Sequence, residues 1–302
     1  MLSRLIPAFL FASVVWAGLI EDVRDDIAHN NFALGDAAIA RYRSLRGVTP
    51  EMLEALSWLG RGALAVKQYD KAEAYAKQTQ ALATDQLKHR ALDAEPHLAI
   101  ALGAAIEVQA LVLAEERDHN LAVAFLREQL AAYRTTSIRT RIQKNINLLS
   151  LEGKAAPPLD EREYLGSKPA PLASLMGKPV LLFFWAHWCG DCKQEESILA
   201  MIEKEYAGRG LVLIAPTQRY GYAAGGEDAS PAAETKYIEA VRRKYYPDLL
   251  AAPAPLSEEN FRNYGASTTP TLVLVDRRGI VRLYHPGTMT LDELRAALNK
   301  IG

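Results

Sequence analysis

The sequence predicts two units of different class: an all-helical N-terminal half and, from about residue 153, an α/β unit whose partly parallel sheet is covered by helices. Three observations carry that division. Residues 20–152 are rich in Ala, Leu, Glu, Lys, Gln and Arg, and their only prolines are Pro50 and Pro96. Lys154-Ala155-Ala156-Pro157-Pro158 marks a boundary, and Pro169 and Pro171 keep the following stretch extended. Beyond it, short continuous apolar runs alternate with segments of helical periodicity, the pattern of buried strands packed under helices.

In the first half, helices are expected near 21–32, 34–46, 50–67, 70–82, 96–117, 119–133 and 136–150. Pro50 and Pro96 each stand near a helix start, where a missing N–H costs nothing. Ile138, Ile142, Ile146 and Leu149 place one apolar face on the last helix. Short breaks such as Gln68-Tyr69-Asp70 favour antiparallel helical hairpins. Trp58-Leu59-Gly60-Arg61-Gly62-Ala63, followed by Tyr69-Asp70-Lys71-Ala72, resembles one tetratricopeptide unit. Ala101-Leu102-Gly103 restarts the pattern later than that family's usual period. A tetratricopeptide-like solenoid implies a surface for a partner protein; the alternative is a helical cap on its neighbour.

Ahead of these helices, residues 5–20 carry no charge, and Arg4 precedes them. The run is short for a membrane span and suits the core of a signal peptide, taken as residues 1–18 with cleavage after Ala17. An uncleaved membrane anchor through residues 5–20 is the alternative. Either way the expected location is periplasmic or otherwise extracytoplasmic. The remaining division is a helical repeat-like domain over 19–152 and a second domain over 153–302. A net charge of −1 argues against a nucleic-acid partner.

In the second half, Pro179–Trp185 reads as a strand buried on both faces, and Leu211–Ala215 as another. Between them Ile198, Leu199, Ile202 and Tyr206 recur at helical spacing. A Gly-rich loop over 220–230 leads to a helix near 232–246. Thr271–Val275 and Ile280–Tyr284 flank Asp276-Arg277-Arg278-Gly279 as a hairpin, and Leu291, Leu294, Leu298 and Ile301 define a last amphipathic helix. The resulting order is β-α-β-α-β-β-α.

The chain's two cysteines, Cys189 and Cys192, lie where the first of those strands ends and a helix begins. At a helix start, Cys189 meets unpaired N–H groups and the positive end of the helix dipole, which stabilise a nucleophilic thiolate. Cys192, one turn on, can resolve a mixed disulfide. Trp188 stands beside the pair as an apolar contact for substrate. Two cysteines this close make a poor structural staple, because the entropic gain from a disulfide grows with loop length.

Trp188-Cys189-Gly190-Asp191-Cys192-Lys193 after an apolar strand resembles a thioredoxin-fold active site, and Thr268-Thr269-Pro270-Thr271 resembles that fold's cis-proline segment. Gly177-Lys178-Pro179 leading to Phe184-Trp185-Ala186, together with Glu195 and Val275-Asp276-Arg277-Arg278-Gly279, resembles the exported TlpA/ResA type, over about 157–302. The resemblance implies a thiol–disulfide oxidoreductase that acts on protein disulfide or dithiol clients. It further implies that the redox centre is the Cys189–Cys192 pair, with no other cofactor and no metal, and that a membrane thiol-transfer protein is the electron donor. It implies substrate contacts at Thr269 and Pro270 and an acid/base helper at Glu195, since Phe183 fills the strand position where many thioredoxins bury an acid. Glu195 as an exposed helix carboxylate is the alternative.

Gly190 and Asp191 fill the positions that tune the pair. Asp191 stands where the family often has proline, and its charge is expected to disfavour the thiolates and make the pair a reductant; its alternative role is to stabilise the helix start. Ser197 replaces another common proline. Lys193 in place of His excludes haem attachment through CxxCH. Two rival functions stay open: a helical adaptor, and a copper-handling protein using both sulfurs with His187 and His285, side chains otherwise expected at or near the surface.

Overall fold

The computed structural model describes residues 18–301. The expected signal peptide or anchor therefore falls almost wholly outside the described residues; Leu19 and Ile20, the last two of its uncharged run, are buried in the first helix. The chain forms two compact units, one through Ala105 and one from Ile106.

The first unit contains α1 (Leu19–Ala28), α2 (Phe32–Arg46), α3 (Pro50–Ala65), α4 (Tyr69–Gln86) and the start of α5 (Pro96–Glu116). Local chemistry sets the ends. Thr49 caps α3 by accepting the Met52 N–H, with Pro50 in the first turn. Gly47 ends α2 at φ 74°, a conformation that favours glycine. Within α3, a Cβ on Gly62 would clash with Ile27 Cγ2, so glycine here lets α1 approach closely. Helix α5 is long and apolar enough to cross a bilayer by length and composition, yet 61% of its most apolar window is buried, as in a core helix.

The second unit takes the rest of α5, then α6 (His119–Ala132) and α7 (Arg139–Ser150). Ile138, Ile142 and Ile146 are buried as the spacing requires, with Leu149 half-buried. Strands and helices follow as β1 (Tyr164–Leu165), β2 (Val180–Phe184), α8 (Gly190–Tyr206), β3 (Val212–Ile214), α9 (Pro231–Tyr245), β4 (Ala254–Pro255), α10 (Glu258–Tyr264), β5 (Thr271–Val275), β6 (Val281–Pro286) and α11 (Leu291–Asn299). The four-stranded sheet has the order β3-β2-β5-β6, with β2 parallel to β3 and the other two pairings antiparallel. The β1–β4 ladder and the seven-residue α10 are additions to the expected order. Both are too short for periodicity to reveal.

Strand β2 is buried at every position, and its alternation splits the core. Leu181 and Phe183 join the cluster that holds both cysteines, Leu199 and Ile202 of α8, and Leu294 and Leu298 of α11. Val180, Leu182 and Phe184 face the other cluster, with Phe261 and Tyr264 of α10. Helix α8 runs unbroken through Ser197.

Candidate active site

The chain leaves β2 at Phe184 and reaches Cys189 through Trp185-Ala186-His187-Trp188. Trp185 fixes that exit: it is buried, and its indole N–H donates to the Ala215 carbonyl at 3.0 Å. Cys189 is the N-cap of α8, and its sulfur accepts the Cys192 N–H at 3.0 Å. The two sulfurs are bonded, with the Cα atoms 5.3 Å apart. Cys192 is fully buried, and Cys189 is nearly so.

From the opposite side comes the segment before β5. The Thr269–Pro270 peptide is cis, and the Thr269 carbonyl oxygen lies 3.4 Å from Cys189 Sγ. In the disulfide this sulfur carries no proton, so the approach is a contact; a thiol there has an acceptor within reach. The Gly287 N–H donates to the Pro270 carbonyl at 2.8 Å, and the Thr271 hydroxyl donates to the Thr268 carbonyl at 2.6 Å. Sequence positions 80 residues apart are thus brought onto one sulfur.

Glu195, one turn beyond Cys192 on α8, is 2% exposed, which overturns its alternative as a surface carboxylate. Its Oε1 accepts the Met289 N–H at 3.0 Å. Burial holds this carboxyl above the ordinary carboxylate range; the Met289 N–H opposes the shift, and the charges of Asp191 and Glu293 reinforce it. Asp191 itself is exposed in the first turn of α8. Gly190 is exposed too, and a Cβ there would meet open space, so crowding does not require glycine. Trp188 presents 49% of its surface to solvent and meets the Tyr220 ring edge-on, with centroids 5.5 Å apart.

A family model described as a thioredoxin-like domain matches residues 172–302. The thioredoxin-like protein YneN of Bacillus subtilis is 30% identical over 149 residues, 49% of this chain and 79% of that protein. The chain belongs to the thioredoxin-like thiol–disulfide oxidoreductases. Thiol-disulfide oxidoreductase ResA of Oceanobacillus iheyensis is 26% identical over 161 residues, covering 52% of this chain and 77% of ResA. A DsbE-type thiol:disulfide interchange protein of Chlorobium tepidum, known from a crystal structure, shares 25% identity with a TM-score of 0.37, covering 50% of this chain and 96% of that one.

One part of this oxidoreductase is invisible to sequence reasoning. His187 is 1% exposed rather than at or near the surface, because its ring sits edge-on to three tyrosines, Tyr220, Tyr222 and Tyr237, at 5.2 to 5.6 Å. Its Nε2 lies 3.4 Å from Glu234 Oε1 without a hydrogen bond among the described residues. Burial drives the imidazole below its usual range, although Glu234 pulls the other way. His285 Nε2 lies 3.1 Å from the Thr288 carbonyl. His187 is thus enclosed by aromatic rings, and His285 faces a backbone carbonyl. Glu234 follows the Ser230 cap and Pro231 of α9, and by sequence alone it reads as an ordinary first-turn acid.

Proposed function

We propose that this oxidoreductase reduces disulfides of exported polypeptides by dithiol exchange, with Cys189 as nucleophile and Cys192 as resolving thiol. The observation that carries this reading is the convergence on Cys189 Sγ of the Cys192 N–H at 3.0 Å and the Thr269 carbonyl at 3.4 Å. The first stabilises a thiolate at the helix start. The second places the backbone of the cis-proline segment, Thr269 and Pro270, beside the sulfur, where an extended client strand can pair with it.

The Cys189 thiolate attacks one sulfur of the client disulfide. The client S–S bond breaks, a mixed disulfide forms, and one client thiolate leaves. Cys192 then loses its proton to Glu195 and attacks Cys189 Sγ, which releases the second client thiolate. Two electrons have moved to the client, and the Cys189–Cys192 disulfide remains. A dithiol donor, expected to be a membrane thiol-transfer protein, restores the reduced pair by the reverse exchange. The uncharged run 5–20 supports an extracytoplasmic location, by export or by anchoring, and the helical unit offers a surface for a partner protein.

Turnover of insulin-like polypeptide disulfides by wild type and Cys189→Ser tests this reading. Wild type is expected to be active, with loss of at least about 10³-fold in the variant. Equal, negligible turnover in both would reject it. On Cys192→Ser, a client should accumulate as a mixed disulfide that a reductant releases.

A further inference from the structure

Beside the cysteine pair, the loop between β3 and α9 is organised around two buried polar groups that the exchange steps do not use. Glu234, 1% exposed, accepts the Tyr220 N–H at 2.5 Å through Oε1 and the Gly221 N–H at 2.9 Å through Oε2. Gly221 takes φ 88°, a backbone conformation that favours glycine. The loop is closed on itself: Ala229 N–H donates to the Gly221 carbonyl, and Ala223 N–H to the Glu227 carbonyl, both at 2.9 Å. Tyr220 and Tyr222 therefore leave one fixed turn. They meet the His187 ring behind, and Tyr220 meets Trp188 in front. Because His187 and Trp188 are the two residues before Cys189, this packing ties the loop to the chain that presents the reactive sulfur.

We propose that His187 and Glu234 are positioning residues that hold the Tyr220–Tyr222 turn against Trp188, and so set the wall that receives the client segment next to its disulfide. Three observations carry this beyond a structural role. A carboxylate buried to this degree is costly unless it is paired, and here both oxygens serve one turn of one loop. His187 is enclosed by rings from that loop and from α9, in a position between strand end and reactive cysteine where packing alone would be met by any apolar residue. Finally, the front of the wall is not buried: Trp188 is 49% exposed directly beside Cys189, while Tyr220 and Tyr222 are half-buried. An exposed aromatic surface of this kind fits an apolar or aromatic side chain flanking the client cysteine, with the client backbone on the cis-proline segment. The proposal rests on the polypeptide-disulfide reading above.

Steady-state reduction of an insulin-like polypeptide and of bis(2-hydroxyethyl) disulfide, which carries no peptide side chain beside its disulfide, separates the possibilities. For Tyr220→Ala and Glu234→Gln, KM for the polypeptide is expected to rise about fivefold, as for loss of an aromatic contact, with kcat reduced less than about twofold. The ratio of polypeptide to small-disulfide kcat/KM should fall by the same factor. Tyr220→Phe, which keeps the ring, should restore the polypeptide KM. Trp188→Ala removes an exposed ring without touching the buried acid, so it carries the test even where Glu234→Gln folds poorly. Combined with Tyr220→Ala it should add less than the sum of the two single effects. Equal losses on both substrates, or a shifted reduction potential, would show that the cluster acts on the cysteines and overturn the proposal. An unchanged polypeptide KM in Tyr220→Ala and Trp188→Ala would overturn it as well. A wild type that reduces only the small disulfide would instead reject the polypeptide reading, and this proposal with it.

Discussion

Two buried glutamates flank the cysteine pair, and they are held differently. Glu195, on α8, has one backbone donor, Met289 N–H, and burial pushes its carboxyl upward. Glu234, on α9, has two backbone donors from consecutive residues and the His187 imidazole 3.4 Å away. Glu195, with a single donor and acidic neighbours, takes up a proton more readily than an ordinary carboxyl, while the two oxygens of Glu234 each hold a backbone N–H and so tie down one turn of the loop. On the proposed reading, the pair has a proton-handling side and a substrate-positioning side. Each glutamate takes its side, on that reading, from its donors rather than from its distance along the chain from Cys192.

That contrast can be broken or sharpened in several ways. The largest expected effect is from Glu195→Gln: kcat for disulfide reduction falls by about 10²-fold, the usual worth of a positioned acid/base, with the polypeptide KM little changed. Glu234→Ala comes next, through stability. It leaves the Tyr220 and Gly221 N–H groups without their acceptor, and denaturant unfolding should show a loss of about 1–3 kcal/mol.

The pH dependence of unfolding distinguishes the two sides by sign. Because the Glu195 carboxyl is held above its ordinary range, the folded chain binds that proton more tightly than the unfolded chain. Its contribution to stability is therefore present at low pH and falls as pH rises through the raised value; Glu195→Gln removes the fall. His187 is held below its ordinary range, so the unfolded chain protonates first and stability is lost as pH drops below about 6.5. His187→Gln should flatten that acid limb in thermal melts. The smallest effect is expected from Asp191→Asn. The side chain is exposed, so solvent screens its charge, and the reduction potential of the pair should rise by less than about 30 mV, a tenfold change in the exchange equilibrium.

What the sequence made legible was local. The apolar face of α7, the unbroken apolar run of β2 and the Thr49-Pro50 start of α3 each reveal themselves within one element. Cys189, Cys192 and Pro270 were legible because each carries its chemistry in its own residue type. The surroundings of the pair were not. Glu195 is buried by a segment 94 residues further on, and His187 by tyrosines and a glutamate from a loop and helix with no unusual pattern of their own.

The pH–rate profile of polypeptide disulfide reduction, compared across wild type, Glu195→Gln and Glu234→Gln, tests the division of labour most directly. Glu195→Gln should lose one ionisation from the kcat profile, while Glu234→Gln should keep the wild-type profile with a raised KM. A Glu195→Gln profile that keeps every wild-type ionisation, or a Glu234→Gln profile that loses one, would contradict it.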